Sequence, residues 1–152
     1  MKKKQISIGT DEGRAMIALL KRIYDCEDFS VPDCNRDEVI AAELVEKNME
    51  YNKMYFAIYN NGSSGFDLKL KLAYSKDILC MLHTKKPHRN TDGSLINGPH
   101  LHRYQQGKSQ YDAIPFSEYL RDSEDLGACL YDFLSYCGVE NLNDLPIQFE
   151  LL

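Results

Sequence analysis

Residues 66–74 alternate between apolar and polar side chains, and this alternation constrains the fold more than any other stretch of the sequence. Every second residue is apolar or aromatic: Phe66, Leu68, Leu70, Leu72 and Tyr74. A period of two is typical of a β-strand with one face in the core and the other in water. The apolar run 78–82 follows after a short polar segment, so the two stretches predict an antiparallel hairpin inside a sheet.

Helical and strand patterns flank this hairpin. Apolar residues recur at helical spacing within residues 10–23 and 35–45, and again from Leu126 to Cys137, where Gly138 follows. Residues 54–59 and 100–104 have strand character. We therefore predict an α+β fold with two N-terminal helices, a central antiparallel sheet of about four to five strands, and one C-terminal helix packed on the sheet. A length of 152 residues indicates a single domain covering 1–152.

Several features predict a cytoplasmic protein. The five cysteines are odd in number and form no Cys-x-x-Cys pair, which favours reduced thiols over a disulfide framework. The basic N-terminus lacks the apolar segment of a signal peptide. The sequence also lacks the roughly 18 consecutive apolar residues of a membrane-spanning helix.

The net charge of −5 hides a strong asymmetry along the chain. Residues 67–108 carry eight basic and three acidic side chains, whereas residues 109–152 carry one and nine. All four histidines lie in the basic middle segment. Such asymmetry indicates an interaction surface for phosphate or for an acidic partner, or a basic sheet neutralised by an acidic C-terminal region.

A block of histidines is the candidate for chemistry. His100 and His102 lie two apart on a predicted strand, which directs both rings to one face, and His88 precedes them in a turn-rich segment. With Arg103 and Tyr104, these histidines could form the catalytic site of a metal-independent ribonuclease.

Two other interpretations of the block remain open. His100 and His102, together with His88 or Asp92, have the ligand types of a zinc site, but the spacing fixes no third ligand. Alternatively, the rings belong to a half-exposed sheet surface and bond to the turn at 90–93. From the sequence we predict no metal and no cofactor.

The same block carries a resemblance to a known family. Its pattern is Pro87-His88-x-Asn90-x-Asp92-Gly93, then Ile96, then His100-Leu101-His102-x-Tyr104-x-x-Gly107. This resembles the signature of an uncharacterised family of small proteins from Gram-positive bacteria and their phages and prophages. The similarity covers about residues 66–115. It implies a mobile-element context, and the family has no established activity to transfer.

The leading functional hypothesis is nucleic-acid binding through the basic block 67–108. The residues expected to contact phosphates are Lys69, Lys71, Lys85, Lys86, Arg89 and Lys108. One alternative is an inhibitor or regulator that binds a host protein through the acidic C-terminal region, and the ribonuclease is another. The sequence lacks the Walker, dinucleotide-binding, zincin and nucleophile-elbow motifs, so those enzyme classes have no support. An enzyme with a divergent site stays open.

Overall fold

A computed structural model describes residues 9–18, 21–23, 29–30, 38–44, 53–72, 77–107, 112–140 and 147–148. In these residues there are two α-helices, α1 (Thr10–Ala18) and α2 (Leu126–Tyr136). The strands are β1 (Lys21–Ile23), β2 (Phe29–Ser30), β3 (Glu38–Leu44), β4 (Lys53–Asn60), β5 (Phe66–Leu72), β6 (Ile78–His83), β7 (His88–Arg89), β8 (Leu95–Ile96), β9 (His100–Arg103), β10 (Ala113–Pro115) and β11 (Ile147–Gln148). Neither helix is long and apolar enough to cross a membrane.

One antiparallel sheet organises the molecule, with strand order β1-β3-β4-β5-β6-β9-β10. Five of these strands, β3 to β6 and β9, have four or more residues and form the body of the sheet, and three-residue strands extend it at either edge. β7 pairs with β8 in a separate hairpin, and β11 pairs with β2. The predicted α+β class, the antiparallel sheet and the C-terminal helix are confirmed.

The second N-terminal helix was a wrong prediction. Residues 38–44 form β3, which hydrogen-bonds to β1 on one side and to β4 on the other. The run from Val39 to Ala42 is apolar without interruption, so its periodicity does not separate a helix from a strand buried on both sides. Pairing with two neighbouring strands decided the outcome. The first predicted helix is also shorter than expected, because Ile23 lies in β1.

Both helices cover the same face of the sheet. The residues of β5 alternate as expected, with Phe66, Leu68, Leu70 and Leu72 buried. Phe133 of α2 packs edge-on against Phe56 of β4, with ring centres 6.0 Å apart. Met16 and Ile17 of α1 join the same core.

A buried lysine connects the ends of the two helices. Nζ of Lys21 donates hydrogen bonds of 2.7 Å to the carbonyl oxygens of Ile17 and Cys137, and its side chain is inaccessible to solvent. Burial lowers the pKa of Lys21 to about 8. The amine therefore donates hydrogen bonds to carbonyl groups near the C-terminal ends of both helices, where cations are favoured.

We call the opposite side of the sheet the open face. Asp67, Lys69 and Lys71 of β5 point to it, together with Tyr59 of β4 and Met81 of β6, all half-buried. No helix in the described part of the chain covers this side. Near β9, the β7–β8 hairpin crosses it.

Candidate functional site: a histidine cluster

All four histidines of the chain converge where the β7–β8 hairpin meets the open face. His83 ends β6 and lies directly opposite His100 of β9, and His102 lies opposite Met81. The two-residue spacing on β9 directs both of its histidines to one side, as the sequence predicted. His88 reaches the same place from β7. The structure therefore brings together three of the predicted site residues, His88, His100 and His102. The fourth histidine, His83, was not among the predicted site residues.

Asn90 holds the hairpin over the cluster. Its Nδ2 donates to the Ala113 carbonyl and its Oδ1 accepts from the Ala113 amide, both at 2.8 Å. Thr91 adds bonds from its amide and hydroxyl to the Asp112 carboxylate. Gly93, with φ of 90°, allows the tight turn that joins the two strands of the hairpin. The Asn-x-Asp-Gly segment, residues 90–93, thus forms the turn of the hairpin and attaches it to β10.

The histidine rings are close enough to share a ligand. Ring centres are separated by 5.3 Å for His83–His100, 5.0 Å for His83–His102 and 4.9 Å for His100–His102. One ligand nitrogen from each of these three residues lies within 4.8 Å of the others. The His88 ring is 4.5 Å from that of His102 and 5.5 Å from that of His100.

A hydrogen bond orients the His100 ring, and a carboxylate lies close to the His83 ring. Nδ1 of His100 is 3.0 Å from the Gly98 carbonyl, an acceptor that requires the proton to be on Nδ1. The Nε2 lone pair of His100 then remains for another partner. This nitrogen is buried and has no hydrogen bond among the described residues. Nε2 of His83 lies 3.7 Å from Oδ1 of Asp67, its cross-strand neighbour.

Burial favours the neutral form of His83 and His100. Burial lowers the pKa of His83 to about 4, overcoming the attraction of Asp67. Burial also lowers the pKa of His100, against the effect of its bond to Gly98. His100 is 1% and His102 is 5% exposed. Neutral, buried imidazoles suit metal coordination and are poorly placed to reach a bulky substrate.

Two residues predicted for catalysis lie elsewhere. Arg103 follows His102 on β9, so the alternation of the strand turns it toward the face covered by the helices. Tyr104 is part of the hydrophobic core, with its ring against Gly13 of α1, because β9 ends before it. Asp92, an alternative metal ligand in the sequence analysis, is exposed and accepts hydrogen bonds from the amide and hydroxyl of Ser94.

The predicted phosphate-contacting residues are dispersed. Lys69 and Lys71 share the open face. Lys85 forms a 3.0 Å ion pair with Glu124, and Nη1 of Arg89 donates to the Gly93 carbonyl. Lys86 is exposed, and Lys108 lies outside the described residues.

Many acidic side chains of the C-terminal segment are engaged within the chain. Asp132 pairs with Arg121 at 3.0 Å, and Glu124 pairs with Lys85. Oδ1 of Asp125 accepts from the amide of Gly127 and caps α2. Of these contacts, the Lys85–Glu124 ion pair joins the basic segment 67–108 to the acidic one, and the others lie within the acidic segment. Neutralisation of one segment by the other therefore stays a prediction.

The protein is thus an α+β protein with helices on one face of an antiparallel sheet and a partly buried histidine cluster on the other. It belongs to a family described as a family of unknown function, DUF6978, whose model matches residues 9–139. The match extends well beyond residues 66–115, and it confirms membership of a family without an assigned activity. The match does not address origin, so the phage or prophage context stays a prediction. Comparisons with curated proteins and with solved structures found no match.

Proposed function

We propose that this protein binds a divalent transition-metal ion, with zinc as the type case, through His83, His100 and His102. The observation that carries the proposal is the grouping of three imidazoles, two buried and that of His83 half-buried, whose ligand nitrogens lie within 4.8 Å of one another. The proposal departs from the sequence-based expectation of no metal. His83, which the spacing of the motif did not supply, is the third ligand that the sequence analysis lacked.

The distances support coordination after a small adjustment. Metal–nitrogen bonds of about 2.0–2.1 Å put tetrahedral ligand nitrogens roughly 3.3 Å apart. From separations of at most 4.8 Å, each ring needs to move inward by less than about 1 Å. Side chains at the end of β6 and on β9 can make such a shift by rotating about their own torsions.

The surroundings of the rings support the same function. Metal-bound histidines commonly donate their second ring N–H to a carbonyl or carboxylate, which fixes the tautomer. The Gly98 carbonyl has this relation to His100, and the Asp67 carboxylate is placed to act similarly for His83. An all-nitrogen ligand set suits zinc, copper, nickel or cobalt better than magnesium or calcium.

Burial argues against the ribonuclease. A phosphodiester must contact both the general base and the general acid, within about 3 Å. His100 and His102 are almost inaccessible, and Arg103 and Tyr104 lie on the other side of the sheet or in the core. The same four rings therefore favour a small ion over a nucleic-acid strand.

Calorimetric titration of chelator-treated protein with Zn²⁺ tests the proposal. We expect a single ion to bind per chain, and His100→Ala and His102→Ala to weaken binding by at least about 100-fold, since even outer-shell changes cost about 10- to 100-fold. Asp92→Asn is the matched control, because it removes the other candidate ligand while keeping the acceptor for Ser94. Absence of stoichiometric binding by the wild-type protein would refute the proposal, as would wild-type affinity in both histidine variants.

We propose a second, separate function for the open face, the binding of single-stranded nucleic acid. Nζ of Lys69 lies 4.7 Å from the centre of the Tyr59 ring, and Lys71 is two residues further along the same strand. A basic and aromatic sheet surface suits phosphates and stacked bases.

Fluorescence anisotropy with labelled single-stranded RNA and DNA, at low and physiological salt, tests this second function. We expect salt-sensitive binding that weakens in the double variant Lys69→Gln/Lys71→Gln. Lys85→Gln is the control, since Lys85 pairs with Glu124. If the control and the double variant lose affinity equally, the open face is not the binding surface.

A further inference from the structure

We infer that His88 binds the metal as a fourth imidazole ligand. The protein then fills the coordination shell of the ion, and the ion attaches the β7–β8 hairpin to the sheet. This inference rests on the proposed metal-binding function. It adds the nature of the site: a closed centre that couples metal occupancy to the position of the hairpin, rather than an open centre with a place for substrate.

The first support is a buried nitrogen. Nε2 of His88 is buried and makes no hydrogen bond within the part of the chain that the structure describes. Leaving a buried polar atom without a partner costs about 1–3 kcal/mol, so such atoms usually have a ligand or an ordered water. The nitrogen of His100 is in the same situation, and the ring centres of the two histidines are 5.5 Å apart.

The second support is the spacing of the rings. Four imidazoles around a tetrahedral ion, with metal–nitrogen bonds of about 2.0–2.1 Å, have ring centres roughly 5 Å apart. The distances from His88 to His100 and His102, and those among the other three histidines, all fall between 4.5 and 5.5 Å. Five of the six ring-centre distances among the four histidines therefore lie near the required value. The His88 nitrogen would still have to move inward, because the group of ligand nitrogens within 4.8 Å of one another consists of His83, His100 and His102.

The third support is the limited attachment of the hairpin. β7 and β8 have two residues each, and an isolated hairpin of this size has little stability in water. Side-chain and backbone hydrogen bonds of Asn90 and Thr91 attach it to Asp112 and Ala113 at the start of β10, beyond the position of His88. A metal–His88 bond would add a second attachment close to the start of the segment.

The segment also orients a ligand on β9. The Gly98 carbonyl, which accepts the hydrogen bond from Nδ1 of His100, lies just after β8. Residues 88–98 therefore supply both the fourth ring and the hydrogen bond that sets the His100 tautomer. Four protein ligands and no remaining position are typical of structural metal sites, whereas catalytic sites keep one position for water.

Cobalt substitution tests the inference on the full-length chain. We expect the wild-type Co²⁺ protein to show the intense visible absorption of four-coordinate cobalt with no exchangeable water. His88→Ala and His88→Gln should bind Zn²⁺ at least about 10-fold more weakly and show the weaker absorption of a shell expanded by water. Asn97→Ala, an exposed asparagine of the same segment, is the control.

Hydrogen exchange on the wild-type chain gives a readout that needs no variant. We expect Zn²⁺ to slow exchange of the Asn90 and Ser94 amides, relative to the Leu70 amide in the centre of the sheet. Unchanged Zn²⁺ affinity and cobalt spectrum in both His88 variants, with His100→Ala still impaired, would overturn the fourth-ligand inference and leave the three-histidine site intact. Wild-type protein that binds no metal would instead overturn the proposed function itself.

Discussion

Replacing Asn90 with alanine removes the side chain that fastens the hairpin to β10, and its cost can be estimated from the structure. The Ala113 amide loses its acceptor at a position that is only 6% exposed. An unsatisfied buried amide costs about 1–3 kcal/mol, and the lost bond to the Ala113 carbonyl adds about 0.5–1.5 kcal/mol. We therefore expect Asn90→Ala to lower the free energy of unfolding by about 2–4 kcal/mol.

Denaturant unfolding and calorimetry of the metal-free protein measure this change. For a chain of this length, each kcal/mol corresponds to about 2–4 °C in Tm. Asn97→Ala is the matched control, because Asn97 is exposed on the same segment, and it should stay within about 0.5 kcal/mol of wild type. If Asn90→Ala were no less stable than this control, Asn90 would not be the attachment of the hairpin.

Two further predictions concern the core and the cluster. Gly13→Ala would place a methyl group against the Tyr104 ring and should lower the free energy of unfolding by about 1–3 kcal/mol, measured by thermal melting. The control Gly9→Ala has open space around it and should melt like the wild type. Equal melting temperatures of the two variants would contradict the close packing at Gly13. Because burial holds the folded-state pKa of His83 at about 4, below its usual value of 6.5, the unfolded chain binds more protons between these pH values. The metal-free protein should therefore keep its full stability above pH 6.5 and lose about 2 kcal/mol toward pH 4, after allowance for solvent screening. His83→Gln should reduce that loss in denaturant titrations at pH 7.5 and 4.5, and an identical loss would assign it to other groups.

Local patterns predicted the elements that have one clear period. The alternation in β5 fixed its inward face, and the helical spacing from Leu126 to Phe133 identified α2. Residues 38–44 failed because a continuous apolar run lacks a period, and hydrogen bonding to two neighbouring strands then determines the structure. That information lies in residues distant along the chain.

The histidine site was predictable only in part, because it also depends on hydrogen bonding between strands that are distant along the chain. The His-x-His spacing predicted two rings on one face, which the β9 register confirms. His83 ends an apolar run, and only the antiparallel register of β6 with β9 brings it opposite His100. A signal was present in the sequence, since His83 shares the parity of Met81 on a strand predicted to neighbour β5. The orientation of Tyr104 depended on where β9 ends, which the pattern did not specify.

X-ray absorption spectroscopy of the zinc-loaded protein is the most direct test of a histidine-bound metal. We expect a first shell of nitrogen ligands at about 2.0–2.1 Å, with the multiple scattering of imidazole rings and no sulfur. In His100→Ala, the imidazole contribution should fall. A shell of sulfur or of water oxygens alone would contradict the assignment of the histidine cluster as a metal site.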